Sequence, residues 1–63
     1  MNEIETTLQT MYDALMKTQE DFDKFRAGNK SAGTRLRKSM QDIKSMAQNV
    51  RVQVQEEKNA VTA

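Results

Sequence analysis

Lysine and arginine recur every seven residues along the second half of the chain, at Lys30, Arg37, Lys44, Arg51 and Lys58. Seven residues are almost two turns of an α-helix, so these five side chains would form one row with a spacing of about 10 Å. Long side chains with permanent charge at this spacing can neutralise successive phosphates of a nucleic-acid backbone, and arginine can bind a phosphate through two hydrogen bonds. Phosphate binding of this kind, made without regard to sequence, is one of two interpretations of the row.

The net charge of +1 hides an uneven distribution of charge along the chain. Residues 1–23 hold six acids and one base, a net charge of −5, whereas residues 24–51 hold eight bases and one acid, a net charge of +7. Residues 52–63 add a further −1. Near-neutrality therefore does not exclude a nucleic-acid partner, but the acids of the first half must be held away from the phosphates.

The residue types that most enzymes and metal sites need are absent. The 63 residues contain no Cys and no His, which removes thiolate ligands, the commonest metal ligand and the commonest general base. We therefore expect no enzyme activity, no cofactor and no small-molecule substrate. No apolar run approaches the roughly 20 residues that span a bilayer, and the acidic start resembles no signal peptide. The expectation is a soluble, cytoplasmic protein without a membrane partner.

Backbone punctuation is confined to the middle of the chain, where the only two glycines, Gly28 and Gly33, lie five residues apart in a sequence without proline. The residues on either side are mostly good helix formers. We therefore predict an all-α fold, a single α-hairpin domain over residues 1–63. Its first helix covers about residues 2–27, its turn residues 28–30 and its second helix about residues 31–59.

Capping residues support these boundaries. Asn2 is suited to cap the first helix, and Gly28 can adopt the left-handed conformation that ends it. Asn29 or Ser31 can cap the second helix, and the backbone N–H groups at its start could bind one more phosphate. Residues 60–63 are expected to fray.

Apolar residues indicate that the two helices pack as an antiparallel coiled-coil hairpin. In each half they step alternately by three and four residues, which is the spacing of a coiled-coil seam. Folding the chain back at Gly28 gives layers in which the two residue numbers have a constant sum, as an antiparallel hairpin requires. The predicted layers are Phe25 with Gly33, Phe22 with Leu36, Thr18 with Met40, Leu15 with Ile43, Met11 with Ala47, Leu8 with Val50 and Ile4 with Val54, and the second seam continues through Glu57 to Val61.

A hairpin covers each helix on one side only, and a chain of this length buries too little surface for a robust core of its own. Apolar residues also lie off the predicted seam, at Tyr12, Met16, Met46 and Val52. They can fill packing gaps or form a groove for a partner. We expect a homodimer that packs as a four-helix bundle.

The basic row has two interpretations that the pattern alone leaves open. Besides binding phosphates, bases beside a coiled-coil seam can pair with acids of neighbouring helices, here Glu5, Asp21 or the acids of a second copy. No aromatic residue alternates with the bases, so a stacking platform for single strands is not expected. A Walker-type phosphate loop, a zinc-finger spacing and a base-reading motif are also absent.

The run from Gly28 to Ser39 reads Gly-Asn-Lys-Ser-Ala-Gly-Thr-Arg-Leu-Arg-Lys-Ser and is followed by Ile43-Lys44 and Arg51. It resembles the bacterial linker-histone-like family typified by the chlamydial histone-like protein, in which a Gly-Asn-Lys turn introduces a helix with an Arg-x-Arg pair and further bases. The resemblance covers about residues 28–51. It implies a small nucleoid-associated protein that binds double-stranded DNA without strong sequence preference. The phosphate contacts that it implies are Lys30, Arg35, Arg37, Lys38, Lys44 and Arg51.

The chain also departs from that family. The chlamydial members carry a long Lys- and Ala-rich tail, whereas this sequence ends at Ala63 after the acidic pair Glu56-Glu57, and its first half is acidic. We therefore expect a short form without the tail, located at the nucleoid. The alternative function is a structural or adaptor coiled-coil hairpin that associates with another protein through its off-seam Met and Tyr residues.

Overall fold

The fold is an antiparallel hairpin of two helices, as the sequence predicts. The structure is a computed structural model that describes residues 2–62, with side chains as far as Ala60. Helix α1 spans Glu3–Arg26 and helix α2 spans Lys30–Thr62. The turn thus lies one residue earlier than predicted, and α2 continues three residues beyond its predicted end. The predicted seam position Val61 lies outside the described side chains.

Local hydrogen bonds explain why α1 begins where it does. The Asn2 side chain accepts a hydrogen bond from the Glu5 amide at 2.9 Å, which confirms Asn2 as the N-cap. Glu3 and Glu5 lie in the first turn, and Lys24 and Arg26 lie in the last. This order of charges complements the helix dipole at both ends.

The turn between the helices depends on Gly28 and Asn29. Gly28 has a φ of 107°; its amide donates to the Phe25 carbonyl, and the Asn29 amide donates to the Lys24 carbonyl, both at 3.0 Å. These are the two hydrogen bonds of a Schellman motif, which ends a helix with a glycine at positive φ. The Asn29 side chain then accepts a hydrogen bond from the Ala32 amide at 3.1 Å, so Asn29 and not Ser31 caps α2. One short segment thereby ends α1 and starts α2.

Replacing Gly28 with alanine tests the turn. A Cβ at positive φ is strained, so we expect Gly28→Ala to lower the free energy of unfolding by about 1–2 kcal/mol. For a chain of this size, each kcal/mol lowers the melting temperature by about 4–8 °C, which thermal unfolding followed by circular dichroism measures. Gly28→Asn is the matched control, because asparagine tolerates positive φ better, and it should lose less stability. Equal melting temperatures for the parent and Gly28→Ala would contradict this account of the turn.

The packing between the helices follows one line of covered residues on each of them, which we call the contact line. Thr18 is 9% exposed and Ala32 is fully buried, and the other members are partly covered. The Thr18 hydroxyl can be buried because it donates to the Leu15 carbonyl at 2.6 Å. Covered positions on the two helices match at a constant sum of residue numbers: Ile4 with Gln53, Thr7 with Val50, Met11 with Met46, Ala14 with Ile43, Thr18 with Ser39 and Asp21 with Leu36.

The predicted seam is therefore correct in type and direction but wrong at five of the fourteen positions in its layers. The positions covered as predicted are Ile4, Met11, Thr18, Gly33, Leu36, Ile43, Ala47 and Val50, and the predicted layer of Phe25 with Gly33 is formed. Leu8, Leu15, Phe22, Met40 and Val54 remain 40–49% exposed. Their expected places are taken by Thr7, Ala14, Asp21, Ser39 and Gln53, and Met46, which was predicted to lie off the seam, is covered. Most of these substitutes are small or polar, and small side chains allow two helices to approach closely.

The hairpin is flat and elongated, with extents of 54 × 18 × 10 Å. Among the residues whose side chains are described, Ala32 is the one hydrophobic residue that is fully buried. Within the described chain neither helix is long and apolar enough to cross a membrane. Most apolar side chains thus lie on the surface of a single copy.

Candidate nucleic-acid interface

Two contacts near the turn define the two broad sides of the hairpin. On one side the Phe25 ring lies over Gly33, so closely that a Cβ added to Gly33 would be 2.6 Å from Phe25 Cδ1. On the other side Arg35 Nε donates to Asp21 Oδ1 at 3.0 Å in an ion pair. We call these the apolar side and the ion-pair side.

The apolar side carries a continuous stripe of apolar side chains, five of them exposed and one, Ala47, partly covered. Viewed down the axis of α1, the line that holds Thr18 and Phe25 lies between Asp21 and Phe22. Phe22 is therefore on the apolar side, with Phe25, and away from the ion pair. Leu8 and Leu15 repeat the position of Phe22, and Met40, Ala47 and Val54 repeat that of Gly33, each at intervals of seven residues. We call these six residues the apolar stripe: Leu8, Leu15 and Phe22 of α1, and Met40, Ala47 and Val54 of α2.

The basic row lies beside the apolar stripe. Its members follow the contact line by one residue, which places each of them about 100° further around α2: Arg37 follows Leu36, Lys44 follows Ile43 and Arg51 follows Val50. Because the row and the contact line share a seven-residue repeat, the row keeps its position relative to α1 along the whole hairpin. Lys30, Arg37, Lys44, Arg51 and Lys58 are all exposed.

Three members of this row have no partner within the hairpin. Among the residues whose side chains the structure describes, Lys30, Arg37 and Lys44 make no hydrogen bond or ion pair. Arg51 Nη1 makes one long hydrogen bond, 3.5 Å, to Gln48 Oε1 on the preceding turn. These three side chains thus present cationic groups to solvent, where they can meet a ligand at no loss of an internal ion pair.

The remaining two candidate residues lie elsewhere on α2. Arg35 is about 160° around the helix from Arg37 and is engaged by Asp21 on the ion-pair side. Its side chain is 50% exposed and that of Asp21 is 20% exposed, so the pair is worth at most about 1 kcal/mol. Lys38 is about 100° from Arg37, on the side of α2 that faces away from the apolar stripe. Pairing with the acids of the first helix, the alternative that the sequence leaves open, thus occurs for Arg35.

Acidic residues lie mostly away from the basic row. By helical position, the acids on the ion-pair side with Asp21 are Glu3, Asp42 and Glu56. The acids on the outer surface of α1 are Asp13, Glu20 and Asp23. Glu3, Glu56 and Glu57 line a shallow groove at the open end of the hairpin, beside Ile4 and Gln53. Glu5 is the one acid of α1 on the apolar side. The fold therefore separates the negative half of the sequence from the row of bases.

Sequence reasoning missed the apolar stripe, because it assigned these six residues to the seam. A signal for it was present: apolar or small residues predominate on three neighbouring lines along each helix, and two lines suffice for a two-helix seam. The third line predicts a further helix, or a second copy, on that side.

Other kinds of site find no support in the described residues. They contain no group of three or more Asp and Glu side chains that could hold a metal ion. At the start of α2, where the sequence suggests that backbone N–H groups could bind a phosphate, the Ala32 amide already donates to the Asn29 side chain at 3.1 Å.

The family model for the histone H1-like protein Hc1 matches residues 5–60 of the chain. The match includes both helices except for their outermost residues, and it confirms the family that the run from Gly28 to Ser39 resembles. No curated protein and no solved structure matches the chain.

Proposed function

The chain belongs to the histone H1-like Hc1 protein family, a family of DNA-binding nucleoid proteins and not of enzymes, and from this premise we propose that it binds double-stranded DNA through the basic row. In the proposed complex Lys30, Arg37, Lys44 and Arg51 contact successive phosphates along one side of a duplex. Lys38, a quarter turn away around α2, adds a contact at the edge of the same straight duplex. Arg35 contributes little, because DNA would have to displace Asp21.

The observation that carries this proposal is the separation of the basic row from the acids. Lys30, Arg37 and Lys44 are exposed, unpaired cations about 10 Å apart, a spacing that fits a phosphate backbone. Apart from Glu5, the acids of α1 that would repel that backbone lie on the ion-pair side or on the outer surface of α1. The affinity we expect is near micromolar at physiological salt, in the range of non-specific binding.

Non-specific binding is testable with two unrelated duplexes of equal length. The row is on the surface of a hairpin whose side chains offer no base-reading pattern, so the contacts are expected to reach the backbone alone. We expect electrophoretic shifts of both duplexes with dissociation constants that agree within about threefold. A preference of more than about 100-fold for one duplex would contradict the proposal, because base contacts would then supply several kcal/mol.

Localisation at the nucleoid and assembly into a homodimer belong to the same proposal. The apolar stripe supports association, because exposed apolar side chains concentrated on one side of a protein are typical of an interaction surface. The same stripe also favours the second candidate, an adaptor hairpin that binds another protein. An absence of any shift at low salt, with a defined protein bound to the apolar stripe, would favour the adaptor.

A further inference from the structure

We propose that two copies pack face to face through the apolar stripe, about a two-fold axis parallel to the helices, and that the dimer thereby bridges two DNA duplexes. The bridging part of this inference rests on the proposed function, whereas the geometry of the dimer does not.

The size and chemistry of the apolar side fit a second copy. The broad face of the hairpin measures about 54 by 18 Å between Cα extremes, which is comparable with the roughly 800 Å² that each partner contributes to a stable interface. Its centre is apolar along the whole length, and its edges carry polar and charged residues, as interfaces do. In a four-helix bundle built in this way, the apolar stripe on each helix packs against a helix of the second copy.

Two symmetric arrangements bring the apolar sides together. With the two-fold axis perpendicular to the helices, α1 lies on α1 and α2 lies on α2. The two basic rows then flank the same edge, so ten bases face each other. With the axis parallel to the helices, α1 of each copy lies on α2 of the other, and both turns are at the same end of the bundle.

Charge favours the parallel axis. In that arrangement the basic row lies across from the line of α1 that holds Glu5, Tyr12, Gln19 and Arg26, which has no net charge. Glu5 comes level with Arg51 of the second copy, where opposite charges attract. Arg26 approaches the basic end of the second copy, but its guanidinium already lies over its own Phe22 ring, 5.8 Å from the centroid.

Side-chain size also fits the parallel axis. A two-fold axis along the helices preserves heights, so α1 has the same register against α2 of the second copy as against its own α2. Phe22 then falls between Gly33 and Met40 of the second copy, Leu15 falls between Met40 and Ala47, and Leu8 falls between Ala47 and Val54. Large side chains of α1 thus enter the spaces between residues of α2, two of which are small.

Function follows from where this symmetry places the bases. The two basic rows lie on opposite edges of the bundle and face away from each other. One duplex cannot contact both rows without wrapping around the bundle, and smooth bending of so short a duplex is costly. Each row is therefore available to a separate duplex.

Disulfide formation between introduced cysteines tests the dimer geometry, and the chain is suited to it because it has no Cys of its own. Leu15→Cys is mixed with a size-tagged Ala47→Cys variant under mild oxidation. The parallel axis predicts mainly mixed disulfides, with Leu15→Cys and Met40→Cys as a second pair that should behave alike. Disulfides only between like variants would show α1 on α1 and α2 on α2, and a lack of any cross-link together with a monomer in sedimentation would also overturn the inference.

Bridging is then measured with the cross-linked dimer. Beads that carry one duplex are incubated with the dimer and with a second, labelled duplex in solution. We expect the dimer to capture the labelled duplex, and we expect a monomeric Leu15→Asp variant to shift a single duplex but to capture less than about a tenth as much of the second. If the parent shifts a single duplex and the cross-linked dimer captures no second one, bridging is wrong and the proposed function stands. If the parent shifts no duplex, the proposed function itself fails, whatever the disulfide pattern.

Discussion

Replacing both Arg37 and Lys44 with glutamate will lower the affinity for duplex DNA by at least about 100-fold and leave the hairpin folded. The double variant removes two adjacent phosphate contacts from the basic row and puts two carboxylates in their place, so attraction becomes repulsion at the centre of the proposed interface. Both side chains are exposed and make no hydrogen bond or ion pair in the described part of the hairpin. Electrophoretic shift measures the affinity, and circular dichroism measures the helix content.

The matched control has the same change in net charge at a different place. Lys17→Glu with Lys24→Glu alters two bases of α1 that lie on the ion-pair side, away from the basic row. We expect this variant to lose less than about tenfold in affinity, since only the general attraction between the protein and the polyanion is weakened. If the two double variants lose affinity equally, net charge and not the basic row governs binding.

Replacing Met46 with serine will destabilise the hairpin at every protein concentration. Met46 is on the contact line and partly covered by α1, so its truncation removes apolar contacts within one copy. For a methionine of this burial we expect a loss of about 2 kcal/mol in the free energy of unfolding. In a chain this short, that is a large part of the total stability. Thermal unfolding over a concentration series measures it.

Met40→Ser is the control, because the same change is made at a position that is 42% exposed in a single copy. In the proposed dimer its effect comes from the interface between copies, so we expect it to grow with protein concentration as that dimer forms. If Met40→Ser is as unstable as Met46→Ser at the lowest concentration, Met40 packs within one copy, at the seam position that the sequence predicts.

Much of the fold can be read from the sequence because its signals are local. A single glycine at the end of a helix-forming segment, with asparagines at Asn2 and Asn29, fixes where the helices begin and end, and the structure uses these residues as expected. The antiparallel direction follows from a turn too short for any other arrangement. The Gly28–Ser39 string is distinctive enough to indicate the family.

The rotation of the helices could not be predicted, because the apolar residues allow more than one seam. Each helix has three neighbouring apolar or small lines, and the choice between them depends on packing distance and not on hydrophobicity. Thr7 and Ala14 pack where Leu8 and Leu15 were expected, since small side chains permit closer helices. Asp21 takes the expected place of Phe22 because it finds Arg35 across the hairpin. The same uncertainty affected the site, because the side that each base occupies depends on this rotation.

The salt dependence of binding to a single duplex tests the central claim most directly. The logarithm of the affinity should fall with the logarithm of the salt concentration by about 0.9 for each phosphate neutralised, so contacts from Lys30, Arg37, Lys44 and Arg51 predict a slope of about −4. The Arg37→Glu, Lys44→Glu variant should have a slope that is smaller by about 2. A parent slope near zero, or the same slope for both proteins, would contradict binding through the basic row.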